Sequence, residues 1–144
     1  MEIKSVSTQH LVKSEDLNHH GTLFAGRTAE WFVEAGLIAT AAFIPPENIV
    51  CVKIHGMAFT MPVKLGEIVT FSGKVVLTGK TSLVTNVRVS VHNKEVVNGF
   101  ITFVNVDHDG HPFPHGVEIE PASPEDIALQ ELAKKLSICG MEVR

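Results

Sequence analysis

The residues best placed for chemistry lie in one stretch, Asn18-His19-His20-Gly21-Thr22-Leu23-Phe24-Ala25-Gly26, which runs into Arg27-Thr28-Ala29-Glu30-Trp31-Phe32-Val33-Glu34-Ala35-Gly36. It reads as a polar loop delivering the chain to the N-terminus of a buried helix. The first amides of a helix have no partner within it, and the helix dipole makes that end positive, so they can polarise a carbonyl or hold an anion. Ala25 and Gly26 have small or absent side chains, which lets a ligand approach those amides. A carboxylate about two turns further along could activate water against the polarised carbon. The same residues also have a plainer reading, in which Asn18 caps a turn and the small residues serve packing.

A second cluster is the loop Asp107-His108-Asp109-Gly110-His111-Pro112-Phe113-Pro114-His115, within a chain that has eight histidines. Imidazole and carboxylate suit zinc or another borderline metal. The loop is broken by glycine and two prolines and lacks a helical scaffold, so a solvated loop without metal is expected. His19, His20 and His55 are further candidate bases near neutral pH. Lys53, Lys64, Lys74, Lys80 and Arg88 are too scattered to mark a phosphate site.

The elements that position these groups follow from hydrophobic spacing. Residues 3–12 alternate loosely and read as a strand. From Leu23 to Phe43 there is no proline, and Ala29, Phe32, Val33, Gly36, Leu37 and Ala41 follow helical spacing. Trp31, Ala35, Ile38 and Ala42 make the other side apolar too, leaving Arg27, Glu30 and Glu34 as the only charged stripe. Such a helix is buried on most sides, and Pro45-Pro46 ends it. Segments 48–60, 67–78, 82–92 and 95–107 read as consecutive strands, with Leu83, Thr85, Val87, Val89 and Val91 on one face and a reversal at Asn93-Lys94. Ser123 and Pro124 open a last helix over about 124–137, with Leu129, Leu132, Ala133 and Leu136 as its apolar stripe. One antiparallel sheet covering one apolar helix accounts for this order, an α+β fold. The open edge of such a sheet calls for a partner chain.

Composition bounds the class. The 144 residues fit one domain, 1–144, and 44% hydrophobic residues supply a core. Sixteen acidic against 12 basic residues, net −4, argue against a nucleic-acid surface. No apolar run reaches the length of a membrane span, and the polar, alternating start does not resemble a secretory signal. Cys51 and Cys139 lack metal spacing, so a reduced cytoplasmic chain is expected.

The run Asn18 to Gly36 resembles the helix-leading motif of hotdog-fold acyl-CoA thioesterases, a pattern close to N-x-x-G-x-x-F-G-G before a helix with an acidic residue. Phe59 with Pro62-Val63-Lys64-Leu65-Gly66-Glu67 is similar to their F-x-x-P-V-x-x-G-D segment. Leu77 to Ser82 resembles the turn before their next strand. Phe103 to Asp107, with Gly110 and Pro112, resembles their F-x-x-V-D-x-x-G-x-P ending. The four pieces occur in order between about residues 5 and 115. The resemblance implies a hotdog domain, an antiparallel sheet wrapped around a long helix, that joins sheets into a homodimer or larger assembly with thioester sites between subunits. It also implies hydrolysis of acyl-CoA to free CoA and a carboxylic acid, with no metal or organic cofactor. The Ala25 amide would polarise the thioester carbonyl and Asn18 would position substrate or water. His19, Phe24, Gly26, Phe59, Thr81 and Ser82 would contact substrate.

One departure stands out. The family's catalytic acid falls at Val33 by direct count, and valine cannot activate water. Glu34 lies about 100° around the helix from that slot. It is either the general base or nucleophile, or a member of the Arg27–Glu30–Glu34 stripe at a subunit seam. Val33 also leaves open a module that binds acyl-CoA without hydrolysing it. A hydratase would need a histidine and an acid at their own spacing, a pattern not convincingly present.

Overall fold

The alternating segments form five strands: β1 (Val6–Leu11), β2 (Ile49–His55), β3 (Ile68–Thr78), β4 (Ser82–Val91) and β5 (Lys94–Asn105). The structure is a computed structural model and describes residues 1–138; Cys139 lies outside the described residues. All neighbouring strands are antiparallel, in the order β1-β3-β4-β5-β2. The sheet wraps one face around α1 (Ala25–Thr40) and carries α2 (Pro124–Ile138) on the other. This is the hotdog architecture that the resemblance implied.

The faces follow the sequence pattern. Leu83, Thr85, Val87, Val89 and Val91 all point into the core beneath α1. Val76, Val84 and Phe100 point the other way, onto Leu129 and Ala133 of α2, so the middle strands are buried on both faces. Phe32, Phe71, Leu83, Ile101 and Phe103 are 0% exposed. Each such side chain contributes about 1.5–3 kcal/mol on burial. Ala35, Gly36 and Ala39 are the small residues that bring α1 down onto the sheet.

Four boundaries differ from the sequence reading, each for a local reason. Ile3 lies outside β1, and its amide donates to Glu120 O at 3.1 Å, tying the N-terminal segment to the chain before α2. α1 stops at Thr40, before the prolines, and Pro46 begins a 3-10 turn over Pro46–Asn48. β2 ends at His55 because Gly56 takes a positive φ of 56°, which turns the chain out of the ladder. The β4–β5 reversal is centred on His92 and Asn93, with φ of 51° and 63°, one residue earlier than expected. Two positive φ values give the tight hairpin that matches strand twist.

Two strands remain at the edges. β1 exposes two polar residues, Ser7 and Gln9, and Leu11 at its end, whereas β2 exposes Val50 (43%), Val52 (38%) and Ile54 (41%). No helix among the described residues is long and apolar enough to cross a membrane.

Candidate active site

The approach to α1 is held by hydrogen bonds that begin at Asn18. Its Oδ1 accepts from the amides of His20 (2.9 Å) and Thr22 (3.1 Å), and its own amide donates to Thr22 O at 2.7 Å. Asn18 therefore does organise a turn. The loop is then tied on both sides: Leu23 N donates to Val63 O at 2.8 Å and Phe24 N to Asp16 O at 2.9 Å. Asp16 is 4% exposed, accepts from Lys13 N at 2.9 Å and pairs with Arg27 Nε at 3.2 Å, which pins the first turn of α1. The sequence reading missed Asp16. An acid four residues inside a loop looks solvated until the fold brings Arg27 to it.

Phe24 occupies the N-cap position with extended backbone (φ −64°, ψ 128°) and has no side chain able to cap. The amides of Arg27 and Thr28 donate to Phe24 O at 2.9 and 3.1 Å. The amides of Ala25 and Gly26 have no acceptor among the described residues. The Ala25 end of the helix opens on a cleft of about 280 Å³. Asn18, Thr28 and Thr60 supply its polar groups, and Phe59, Met61, Val69, Val89, Val96 and Val97 most of its apolar wall. Thr60 Oγ1 donates to Val96 O at 3.1 Å and anchors the loop carrying Phe59 to β5. A positive helix end beside an apolar recess can take a carbonyl at the amides and a hydrocarbon chain in the recess.

Of the residues expected to contact substrate, the cleft unites Asn18, Ala25 and Phe59. Gly26 differs from expectation: a Cβ there would stand 2.5 Å from the Phe24 ring, so the space that glycine leaves is filled by Phe24 and not by a ligand. Phe24 and Gly26 face a separate depression with Asp16, Arg27 and Glu30. His19 is exposed, its ring 3.9 Å from that of His20. Ser82 begins β4 and Thr81 precedes it, seven and eight residues from Val89 and roughly 25 Å away along the strand. Their hydroxyls are buried without a partner, beside the unpaired Asn105 Oδ1.

Glu34 also stands outside the cleft. Its side chain is 59% exposed and lies 3.8 Å from His10 Nε2 on β1. The His10 ring stacks on Trp31 (centroids 4.2 Å apart, 6° between planes). One chain alone does not bring Glu34 to the Ala25 amide. Val33, at the position where the family has its acid, lies on a partly exposed flank with Ala29 and Leu37.

Other titratable groups are accounted for by structure. In the 107–115 loop, ligand atoms of Asp107, Asp109 and His111 lie within 4.8 Å of one another. Asp107 Oδ1 accepts from the amides of Asp109 and His111, both at 2.9 Å, and so shapes the turn. The His111 amide is the main cause holding the Asp107 carboxyl below its ordinary value. His115 is directed elsewhere, with Nε2 2.8 Å from Ser82 O. His55 is buried against Thr102 Oγ1 at 2.8 Å, on the α2 side of the sheet; burial, then the charge of Lys53, pushes its pKa down.

Comparison with known proteins agrees with the fold. The acyl-CoA thioester hydrolase YciA of Salmonella typhimurium is 29% identical over 117 residues, covering 75% of this chain and 87% of that protein. The crystal structure of an apo-hexameric acyl-CoA thioesterase superposes with a TM-score of 0.86 at 27% identity, covering 94% of this chain and 89% of the other. An acyl-CoA hydrolase from Bacillus cereus has the same fold, with a TM-score of 0.87 at 22% identity and coverage of 94% and 85%. The sequence model of the thioesterase superfamily matches residues 20–97, from the loop before α1 into β5. The chain belongs to the thioesterase superfamily.

Proposed function

We propose that this protein hydrolyses acyl-CoA thioesters to CoA and a carboxylic acid, without a metal or organic cofactor. The observation that carries the reading is the uncapped start of α1, where the free Ala25 amide opens on an apolar cleft beside Asn18. The thioester carbonyl oxygen accepts from Ala25 N–H, and the acyl chain lies among Val69, Val89, Val96 and Val97. Polarisation favours addition of water at the carbonyl carbon. The tetrahedral intermediate collapses with loss of the C–S bond, and the departing CoA thiolate takes up a proton.

The working unit we propose is a homo-oligomer built on the β2 edge. That edge is apolar and has no partner strand among the described residues, which favours addition of a second copy. A two-fold antiparallel pairing of β2 strands sets the Thr81–Ser82 end of one copy beside the cleft end of the other. In that arrangement the exposed His19 and Phe24 reach the CoA moiety at the mouth, and Thr81 borders it across the seam. Glu34 is the proposed base; it faces His10 on β1, the edge opposite β2, and so serves the cleft of a further copy in a larger homo-oligomer. The exposed free thiol of Cys51 suits a reducing, cytoplasmic setting.

The experiment is thiol release from a panel of acyl-CoAs by the wild type, Asn18→Ala, Glu34→Gln and a refolded mixture of the two variants. Each variant should lose at least about 100-fold in kcat. The mixture should regain about a quarter of wild-type activity, because a site that draws Asn18 and Glu34 from different copies keeps both in about a quarter of random assemblies. Full activity in Glu34→Gln would remove it as the base. Binding of acyl-CoA by the wild type with no thiol release would favour the reading in which Val33 marks a non-catalytic binding module.

A further inference from the structure

We propose that the Thr28 hydroxyl is a second hydrogen-bond donor to the substrate's carbonyl oxygen, beside the Ala25 amide. The inference rests on the hydrolase reading given above. Thr28 is 4% exposed, yet its hydroxyl has no hydrogen-bond partner among the described residues. It lines the same cleft as Ala25.

A buried threonine in a helix ordinarily bonds back to the carbonyl four residues earlier. Thr40 of α1 does so, with Oγ1 2.8 Å from Gly36 O and 2.7 Å from Thr85 Oγ1. Thr28 does not, and the carbonyl it would use, Phe24 O, already accepts from the amides of Arg27 and Thr28. The Thr28 oxygen is not one of the fully enclosed unpaired atoms, so the little access it keeps is toward the cleft that the residue lines. The buried Val69, Val89 and Val97 line the same cleft, so the hydroxyl is a polar group in a largely apolar recess.

Direction supports the same role. Residues three apart on a helix share a face, and helical side chains lean toward the N-terminus. The Thr28 side chain therefore rises along the first turn toward the amide of Ala25. When water adds to the thioester carbonyl, negative charge collects on its oxygen, and two donors in an apolar recess hold that charge better than one. Thr28 keeps its proton throughout; the C–S bond breaks and the leaving thiolate is protonated as before. The sequence signal was a lone hydroxyl in the first turn, on the buried side of an otherwise apolar helix face.

The test compares wild type, Thr28→Val and Thr28→Ser. Thr28→Val should fold with an unchanged or higher Tm, since the lost hydroxyl had no partner. Its kcat should fall by about 100-fold with KM changed less than about threefold, and Thr28→Ser should recover most of the loss. A second readout does not need turnover: the infrared carbonyl stretch of bound 2-oxopentyl-CoA, carrying ¹³C at its ketone. That stretch should lie lower in wild type and Thr28→Ser than in Thr28→Val. Equal kcat in wild type and Thr28→Val, with equal stretches, would overturn the proposal. Should the wild type bind the ketone but release no thiol from acetyl-, butyryl-, octanoyl- or benzoyl-CoA, the hydrolase reading fails, and the stretch alone decides the Thr28 contact. Failure of the ketone to bind would overturn both.

Discussion

The two helices begin in opposite ways. At α2, Ser123 Oγ accepts from Asp126 N at 3.2 Å, and the Asp126 carboxylate accepts from Ala122 N at 2.9 Å and from Lys74 Nζ on β3 at 2.8 Å. Side chains meet the needs of that helix end and anchor it to the sheet. At α1, an apolar Phe24 stands at the cap, the approach loop is tied to Asp16 and Val63, and the first two amides are left open. The same orphan donors are thus closed where the helix must be held and open where a ligand must bind. α1 is fixed instead by burial along its length and by the Asp16–Arg27 pair.

Removing the closure at α2 should cost stability and little else. Asp126→Ala leaves the Ala122 amide unpaired and Lys74 with only the longer contact to Glu125 (4.0 Å), and we expect a loss of about 2 kcal/mol in chemical denaturation. kcat should stay within about twofold of wild type, because α2 and the cleft lie on opposite faces of the sheet. A large fall in kcat at full folding would break the division between anchor and site.

Acid should act on the same closure. Burial opposes ionisation of Asp126, but the hydrogen bond from Lys74 and the Ala122 amide outweigh it, and the carboxyl titrates below its ordinary value. A depressed folded pKa gives stability that is complete above the unfolded value, about 4, and is lost as pH falls through the folded one. The Tm difference between wild type and Asp126→Asn should therefore hold from pH 7 to 5 and shrink below pH 4. Ser123→Ala, which removes only the cap, should cost about 1 kcal/mol.

This contrast also separates what was legible in the sequence from what was not. The α2 start was legible because Ser123-Pro124 states its chemistry locally. The strands were legible from alternation, and the free amide at Ala25 from the loop-to-helix spacing. Long-range placement was not. Gly26 looked like an opening for ligand, and only the fold shows that Phe24 folds back over it. Asp16 gave no sign of burial because its partner Arg27 is eleven residues away. Glu34 could be placed on the charged side of α1, but its neighbour His10 comes from β1, across a turn and a strand edge. Thr81 and Ser82 belong to the far end of the sheet, a distance that no local pattern encodes.

The central claim is that the Ala25 amide is a working group and not merely an unfinished helix end. Ala25→Pro tests it directly, since proline removes that N–H and is accommodated at the first helical position. The preceding Phe24 already has the extended backbone that proline favours in its neighbour. We predict an unchanged circular dichroism spectrum, a Tm within a few degrees of wild type, and a fall in kcat for acyl-CoA hydrolysis of about 100-fold or more. Wild-type kcat in a folded Ala25→Pro protein would contradict the account.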